Sequence, residues 1–205
     1  QNLVSRRGYA SSFFRVLQVE IYNPTLGALA IMKMKHPGMF NRGALGLALA
    51  SCFAFTGSAN AAQLVEKYGD WSLFVHDAAQ KKICFAATQP AATGPKGEKR
   101  DAVFFYVSAW PKDGVKTEVS VLLGYKIKKG SEVTVNIGGT IFKLFPQDDK
   151  AFVADPTQEL KLIDAMKRGN SMQVAATSEA GMATEDRFSL SGITNALKNL
   201  DTKCQ

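Results

Sequence analysis

The chain has 205 residues, 46% of them hydrophobic and 21% charged, with a formal net charge of +7. That charge is unevenly placed: residues 1–61 hold Arg6, Arg7, Arg15, Lys33, Lys35 and Arg42 against Glu20 alone, which leaves about +2 on everything from Ala62 onward. With no like-charge run longer than pairs such as Lys99-Arg100 or Lys128-Lys129, that remainder lacks the concentrated basic face of a nucleic-acid-binding protein.

Taken in order, residues 1–31 show no consistent period: Arg15 follows Phe13 and Phe14, and Glu20 interrupts the next apolar residues. They read as upstream sequence outside the native product, with Met32, Met34 or Met39 as the start. Ser5-Arg6-Arg7-Gly8-Tyr9 faintly resembles a twin-arginine motif, but Arg15 and Glu20 stand where its apolar run should be. Residues 32–61 read as a secretory signal peptide. Lys33, Lys35 and Arg42 open it, an apolar run from Gly43 to Phe55 forms its centre, and Ala59-Asn60-Ala61 offers an A-x-A exit. The run is well short of the roughly 20 residues a membrane-spanning helix needs. Leu49-Ala50-Ser51-Cys52 is a competing lipidation signal, but Phe53-Ala54-Phe55 continues the apolar run past that cysteine.

Residues 62–205 suit one domain with a real core. Short strands are expected at Trp71 to Val75, Lys82 to Ala87, Ala102 to Trp110, Lys116 to Leu123 and Glu132 to Ile137. Others are expected at Thr140 to Phe145, Ala151 to Ala154, Ser171 to Thr177 and Arg187 to Leu190. AVFFYVSAW, ending at Trp110, is the strongest by its β-branched and aromatic content. Gly138-Gly139 between two alternating runs marks a hairpin. Gln89 to Asp101, rich in Pro, Gly and Lys, reads as an exposed loop. Two helices interrupt the strands. The first, Pro156 to Arg168, has Asp155 as cap, Pro156 at its first position, an apolar stripe of Leu160, Leu162, Ile163 and Met166, and Gly169 as stop. The second, Gly192 to Leu200, is read as capped by Ser191, with Ile193, Leu197 and Leu200 on one face. The fold class is therefore mainly β: an antiparallel β-sandwich or barrel-like single domain with two short helices.

Removal of the leader takes Cys52 with it and leaves Cys84 and Cys204. An even count in an oxidising compartment points to a disulfide closing about 120 residues. Chemistry is otherwise sparse. His76 is the one histidine after Ala62, no G-x-S-x-G elbow exists, and Asp148, Asp149 and Asp155 lack an EF-hand pattern. Glu185 and Asp186 are adjacent, so a strand points them to opposite faces. No catalytic set, cofactor or metal site is assigned, and the chain reads as a non-enzyme.

The order of residues from Ala62 onward resembles a family, the invasion-associated locus B proteins of Gram-negative bacteria. It rests on Gly69-Asp70-Trp71, Cys84 with Gln89, Tyr106-Val107-Ser108, and Glu118-Val119-Ser120 running to Gly124-Tyr125. Asp164-Ala165-Met166-Lys167-Arg168-Gly169 follows, then Thr177-Ser178-Glu179-Ala180-Gly181, Asp186, Phe188-Ser189-Leu190, Gly192 and the terminal Cys204. The resemblance implies export to the periplasm or outer envelope, with some members linked to host-cell entry; it supplies no mechanism.

Two functions follow. The first is a non-enzymatic envelope protein that binds a protein partner or an envelope or host-surface component, with Lys167, Arg168, Ser178, Glu179 and Asp186 as contacts. Those residues could equally serve helix capping and turn formation. The second is a periplasmic domain that binds or hydrolyses a small molecule or cell-wall fragment in a pocket lined by Trp71, Phe104, Tyr106 or Trp110; ordinary core packing is the alternative use of those rings.

Overall fold

The computed structural model describes residues 62–78, 81–95 and 100–204. The expected leader, its exit after Ala61 and the rival lipidation site at Cys52 lie outside them. Eleven strands pair antiparallel into one sheet: β1 (Gln63–Tyr68), β2 (Trp71–Ala78), β3 (Lys81–Thr88), β4 (Ala92–Gly94), β5 (Phe104–Trp110), β6 (Val115–Leu122), β7 (Val133–Ile137), β8 (Thr140–Gln147), β9 (Lys150–Phe152), β10 (Ser171–Thr177) and β11 (Ala183–Ser189). Their order is β1-β2-β3-β5-β6-β9-β8-β7-β10-β11-β4, so the sheet stays open, with β1 and β4 as its edges, and is not a closed barrel.

The sheet doubles back on itself at β8. Val133 to Ile137 pair with the first half of that strand, while Phe145 to Gln147 pair with β9. Five strands separate β5 from β11 along the order, yet their rings meet: Phe105 packs edge-on against Phe188 at 5.7 Å and against Trp71 at 6.2 Å. The Trp71 indole N–H also donates to the Ser189 carbonyl at 3.1 Å. The two halves therefore face each other as a sandwich. The period of two along a strand fills the space between them: Phe105, Val107 and Ala109 from β5, with Val119 and Val121 from β6, meet Val133, Val135, Met172, Val174 and Phe188.

Two helices complete that core. α1 (Pro156–Arg168) begins as its sequence dictates, with the Asp155 carboxylate accepting from the Gln158 N–H at 2.8 Å. Its inward residues are Glu159, Leu162, Ile163 and Met166, whereas Leu160, expected in the stripe, is 61% exposed. Glu159 is drawn in because β9 pairs only Ser120 to Leu122 of β6. The neighbouring Val119 N–H donates instead to Glu159 Oε2 at 3.1 Å, and the Thr117 hydroxyl donates to Oε1 at 2.8 Å. Burial pushes the Glu159 carboxyl above its ordinary range, and the two donors pull it partly back. Gly169 ends α1 in extended rather than left-handed backbone; a Cβ there would sit 2.7 Å from Ile137 and 2.8 Å from Leu190. Close packing, not a left-handed turn, is what requires this glycine.

α2 (Ile193–Lys203) runs three residues further than expected, and Gly192 rather than Ser191 occupies its N-cap, at φ 90° and with no capping side chain. The β1–β2 turn is the reason. Asp70 N–H donates to the Ser191 carbonyl at 3.1 Å, and a Cβ on Gly192 would lie 2.0 Å from the Tyr68 carbonyl. Gly192→Ala therefore combines a left-handed backbone with a backbone collision. We expect it to cost about 1–3 kcal/mol, read as a lowered midpoint in thermal denaturation; an unchanged midpoint would contradict this packing.

Beyond α2, Cys204 is bonded to Cys84 of β3, with Cα atoms 5.8 Å apart. The expected loop at Gln89 to Asp101 is partly a strand: Ala92 to Gly94 pair with Glu185 to Arg187 as β4.

Candidate functional site

Asp186 sits on β11, where the alternation that turns Phe188 inward turns its carboxylate inward too, and it is wholly buried. An uncompensated carboxylate there would be prohibitive. Arg100 meets it with both ends of its guanidinium, Nη1 to Oδ2 at 3.0 Å and Nη2 to Oδ1. That fork matches a carboxylate in plane and charge. The guanidinium also lies 5.8 Å from the centre of the Tyr125 ring, whose hydroxyl is bonded to Thr184 Oγ1. Burial pushes the Asp186 carboxyl up, and the Arg100 charge and hydrogen bonds pull against it. Asp101 N–H donates to the Gly124 carbonyl at 2.9 Å, so the network ties the segment after β4 to the Gly124-Tyr125 bend and to β11. Arg100, read from the sequence as a solvated loop charge, is an interior residue.

The five residues named as partner contacts divide accordingly. Asp186 and Ser178 are interior and held within the chain. Ser178 Oγ accepts from the Met182 N–H at 3.1 Å and its own N–H donates to the Met182 carbonyl, closing the β10–β11 turn. Glu179, next to it, anchors its backbone on the Lys126 carbonyl at 2.7 Å and leaves its side chain exposed. Lys167 and Arg168 are exposed on the last turn of α1, where cations complement the helix dipole.

Arg168 has a second setting. Because Gly169 lets α1 press against Ile137, the helix end and the β7–β8 hairpin enclose an open cleft of about 470 Å³. Ile137, Gly138 and Thr140 line one side, and Arg168, Asn170 and Ser171 the other. A guanidinium beside an amide and a hydroxyl suits an acidic or polar group, which would take charge-assisted hydrogen bonds from it.

Of the aromatic residues assigned to a pocket, Trp71 lies apart from Phe104 and Tyr106. Trp71 belongs to the core between the halves, whereas Phe104 stacks on Tyr106 at 5.6 Å on the opposite face of β5, as the strand alternation requires. Burial pushes the Tyr106 phenol well up. Among the described residues, no three His, Cys, Asp or Glu side chains gather as a metal site, and no helix is long and apolar enough to cross a membrane.

No curated protein matches the chain. Among solved structures, the crystal structure of invasion associated protein b from Bartonella henselae is similar at 22% identity, covering 69% of this chain and 98% of that one, with a TM-score of 0.49. The family described as Invasion associated locus B (IalB) protein matches residues 71–201, a span that contains β2 through most of α2, the buried Arg100–Asp186 pair and the cleft at Arg168, and the chain belongs to that family.

Proposed function

We propose that this chain is an exported envelope protein with a binding rather than catalytic role, acting in the periplasm or at the outer envelope, and that its role bears on contact with host cells. The observation that carries the reading is the buried Cys84–Cys204 bond, which joins positions 120 residues apart. Structural disulfides of this kind form in oxidising compartments and are rare in the bacterial cytosol. Membership of the invasion-associated family and the charged, apolar and A-x-A succession of residues 32–61 point the same way.

The contact surface we assign is the cleft at Arg168, with Lys167 beside it and Glu179 as a separate exposed contact. Export and contact are tested separately. In fractionated cells, the intact mass should correspond to a chain starting at Ala62, with two thiols that react only after reduction; a chain that begins at Cys52 and carries acyl groups would overturn the assigned leader. Lys167→Ala, Arg168→Ala and Glu179→Ala combined should leave the unfolding free energy within about 1 kcal/mol of the parent, as surface changes do. The same variant should abolish recovery of cross-linked envelope partners; undiminished recovery would overturn the contact assignment.

A further inference from the structure

The cleft at the end of α1 is built from parts that the fold already holds in place. Gly169 packs the helix end against Ile137 and Leu190. The Leu190 N–H donates to the Asn170 carbonyl at 3.0 Å, which fixes the residue between Gly169 and β10. Across the cleft, the Gly138-Gly139 turn takes left-handed backbone at both positions, and the Gly139 N–H donates to Asn136 Oδ1 at 3.0 Å. Walls set in advance lose little ordering entropy on binding. The volume of about 470 Å³ lies in the range of small-ligand sites.

What the walls offer decides the ligand. Ile137 is buried, and the rest of the described lining is small or polar. Arg168, Asn170 and Thr140 are exposed and Ser171 is half-buried. Among the described residues, no hydrogen bond or ion pair occupies these four side chains. They supply one guanidinium fork and three groups that both donate and accept. A peptide anchored by a large apolar side chain, or a neutral sugar stacked on a ring, draws its affinity from other features. A polyol with one fixed negative charge uses all four. The size of that charge is set as well. The end of α1 is the negative end of the helix dipole, and the exposed Asp164 stands one turn before Arg168. Both oppose a phosphate monoester of about −1.5 to −2 charge. They oppose a singly charged carboxylate less, and its plane matches the guanidinium fork. We infer that the cleft binds a carboxylated sugar unit of the hexuronate kind, with its carboxylate on Arg168 and its hydroxyls on Asn170, Ser171 and Thr140. This rests on the contact reading of the cleft given above and names the chemistry of that contact.

The test titrates the isotope-labelled, disulfide-closed full chain with glucuronate and follows backbone amide shifts. Shifts should concentrate at Gly138, Thr140, Gly169, Asn170 and Ser171. Arg168→Gln should weaken binding about tenfold. Arg168→Lys keeps the charge without the fork and should weaken it too. Lys198→Gln removes one charge from the exposed side of α2 and should leave binding unchanged. Equal losses at Arg168 and Lys198 would assign the attraction to diffuse surface charge and overturn the inference. Glucuronamide, which keeps the hydroxyls and loses the charge, should bind far more weakly; equal binding would overturn it as well. Tighter binding of glucose 6-phosphate would assign the cleft to phosphate, and tighter binding of a glutamyl tripeptide would assign it to an acidic protein. Either overturns the carboxylated sugar, as does a glucuronate titration without shifts at the cleft. The outcome is separable from the contact reading. A flat titration alongside lost partner recovery in the triple variant would keep the contact surface and discard the sugar. An Arg168-dependent titration alongside undiminished recovery would discard the cross-linked contact and keep the sugar site.

Discussion

Replacing Cys84 or Cys204 by Ser is expected to destabilise the fold by about 5 kcal/mol in the chain-entropy account of a loop of this length. That is a large share of the roughly 5–15 kcal/mol by which a domain of this size is stable. The thermal midpoint should fall on the order of 10–20 °C. The structure adds a local reason for the loss. Cys84 is fully buried on β3, and Cys204 follows the last turn of α2, so the bond fixes the end of the chain to the inner face of the sheet. Ile193, Ala196, Leu197 and Leu200 gain their burial from that docking. Because a single bond is shared by both residues, the double variant should be no less stable than either single variant, and reduction of the parent by dithiothreitol should reproduce the same midpoint. Additive losses in the double variant would show that the two thiols act separately.

How far the sequence could be read depended on whether an element's cause is local. α1 was legible at its start because Asp155 and Pro156 act on their own backbone; its end does fall at Gly169, but packing against Ile137 and Leu190 rather than a local turn requires that glycine. β5, β6 and β7 were legible because runs of β-branched and aromatic residues alternate there. Glu159 was not, although it stands three, four and seven residues before Leu162, Ile163 and Met166 on one helical face. Its warrant for going inward is two donors on β6, about forty residues away in the chain. β1 is exposed nearly throughout, so it shows no alternation to read. β4 is Ala-Thr-Gly and owes its strand character to the backbone of β11. The candidate site divides on the same principle. Lys167, Arg168 and Glu179 were legible as polar residues at a helix end and a turn, whereas Asp186 required the start of β11. Beginning that strand at Arg187 hides the fact that Thr184, Asp186 and Phe188 share the inward side. Arg100 carried no local signal, since its partner lies 86 residues away.

Asp186→Asn should remove about 3–5 kcal/mol, because it leaves the Arg100 guanidinium buried without its counter-charge. Arg100→Met should cost a similar amount for the converse reason. The double variant Arg100→Met with Asp186→Leu should recover much of the loss, since a buried pair replaced by apolar groups of similar volume is often neutral. A double-mutant cycle closed with the Asp186→Leu single variant and showing no coupling would mean that the two residues do not share one energetic unit. Titration gives an independent check. Burial pushes the Asp186 carboxyl above its ordinary value of 3.8. In the window between that value and the raised one, the folded chain holds a proton that the unfolded chain has already released. The folded state therefore binds more protons there, and this group's contribution to stability falls as pH rises through the window. Subtracting the pH profile of Asp186→Asn from that of the parent isolates the effect from Glu159, whose raised carboxyl contributes a slope of the same sign. A difference profile that rises with pH would mean that the Arg100 charge outweighs burial at this site. The pair would then hold the segment after β4 against β11 most strongly once Asp186 is ionised.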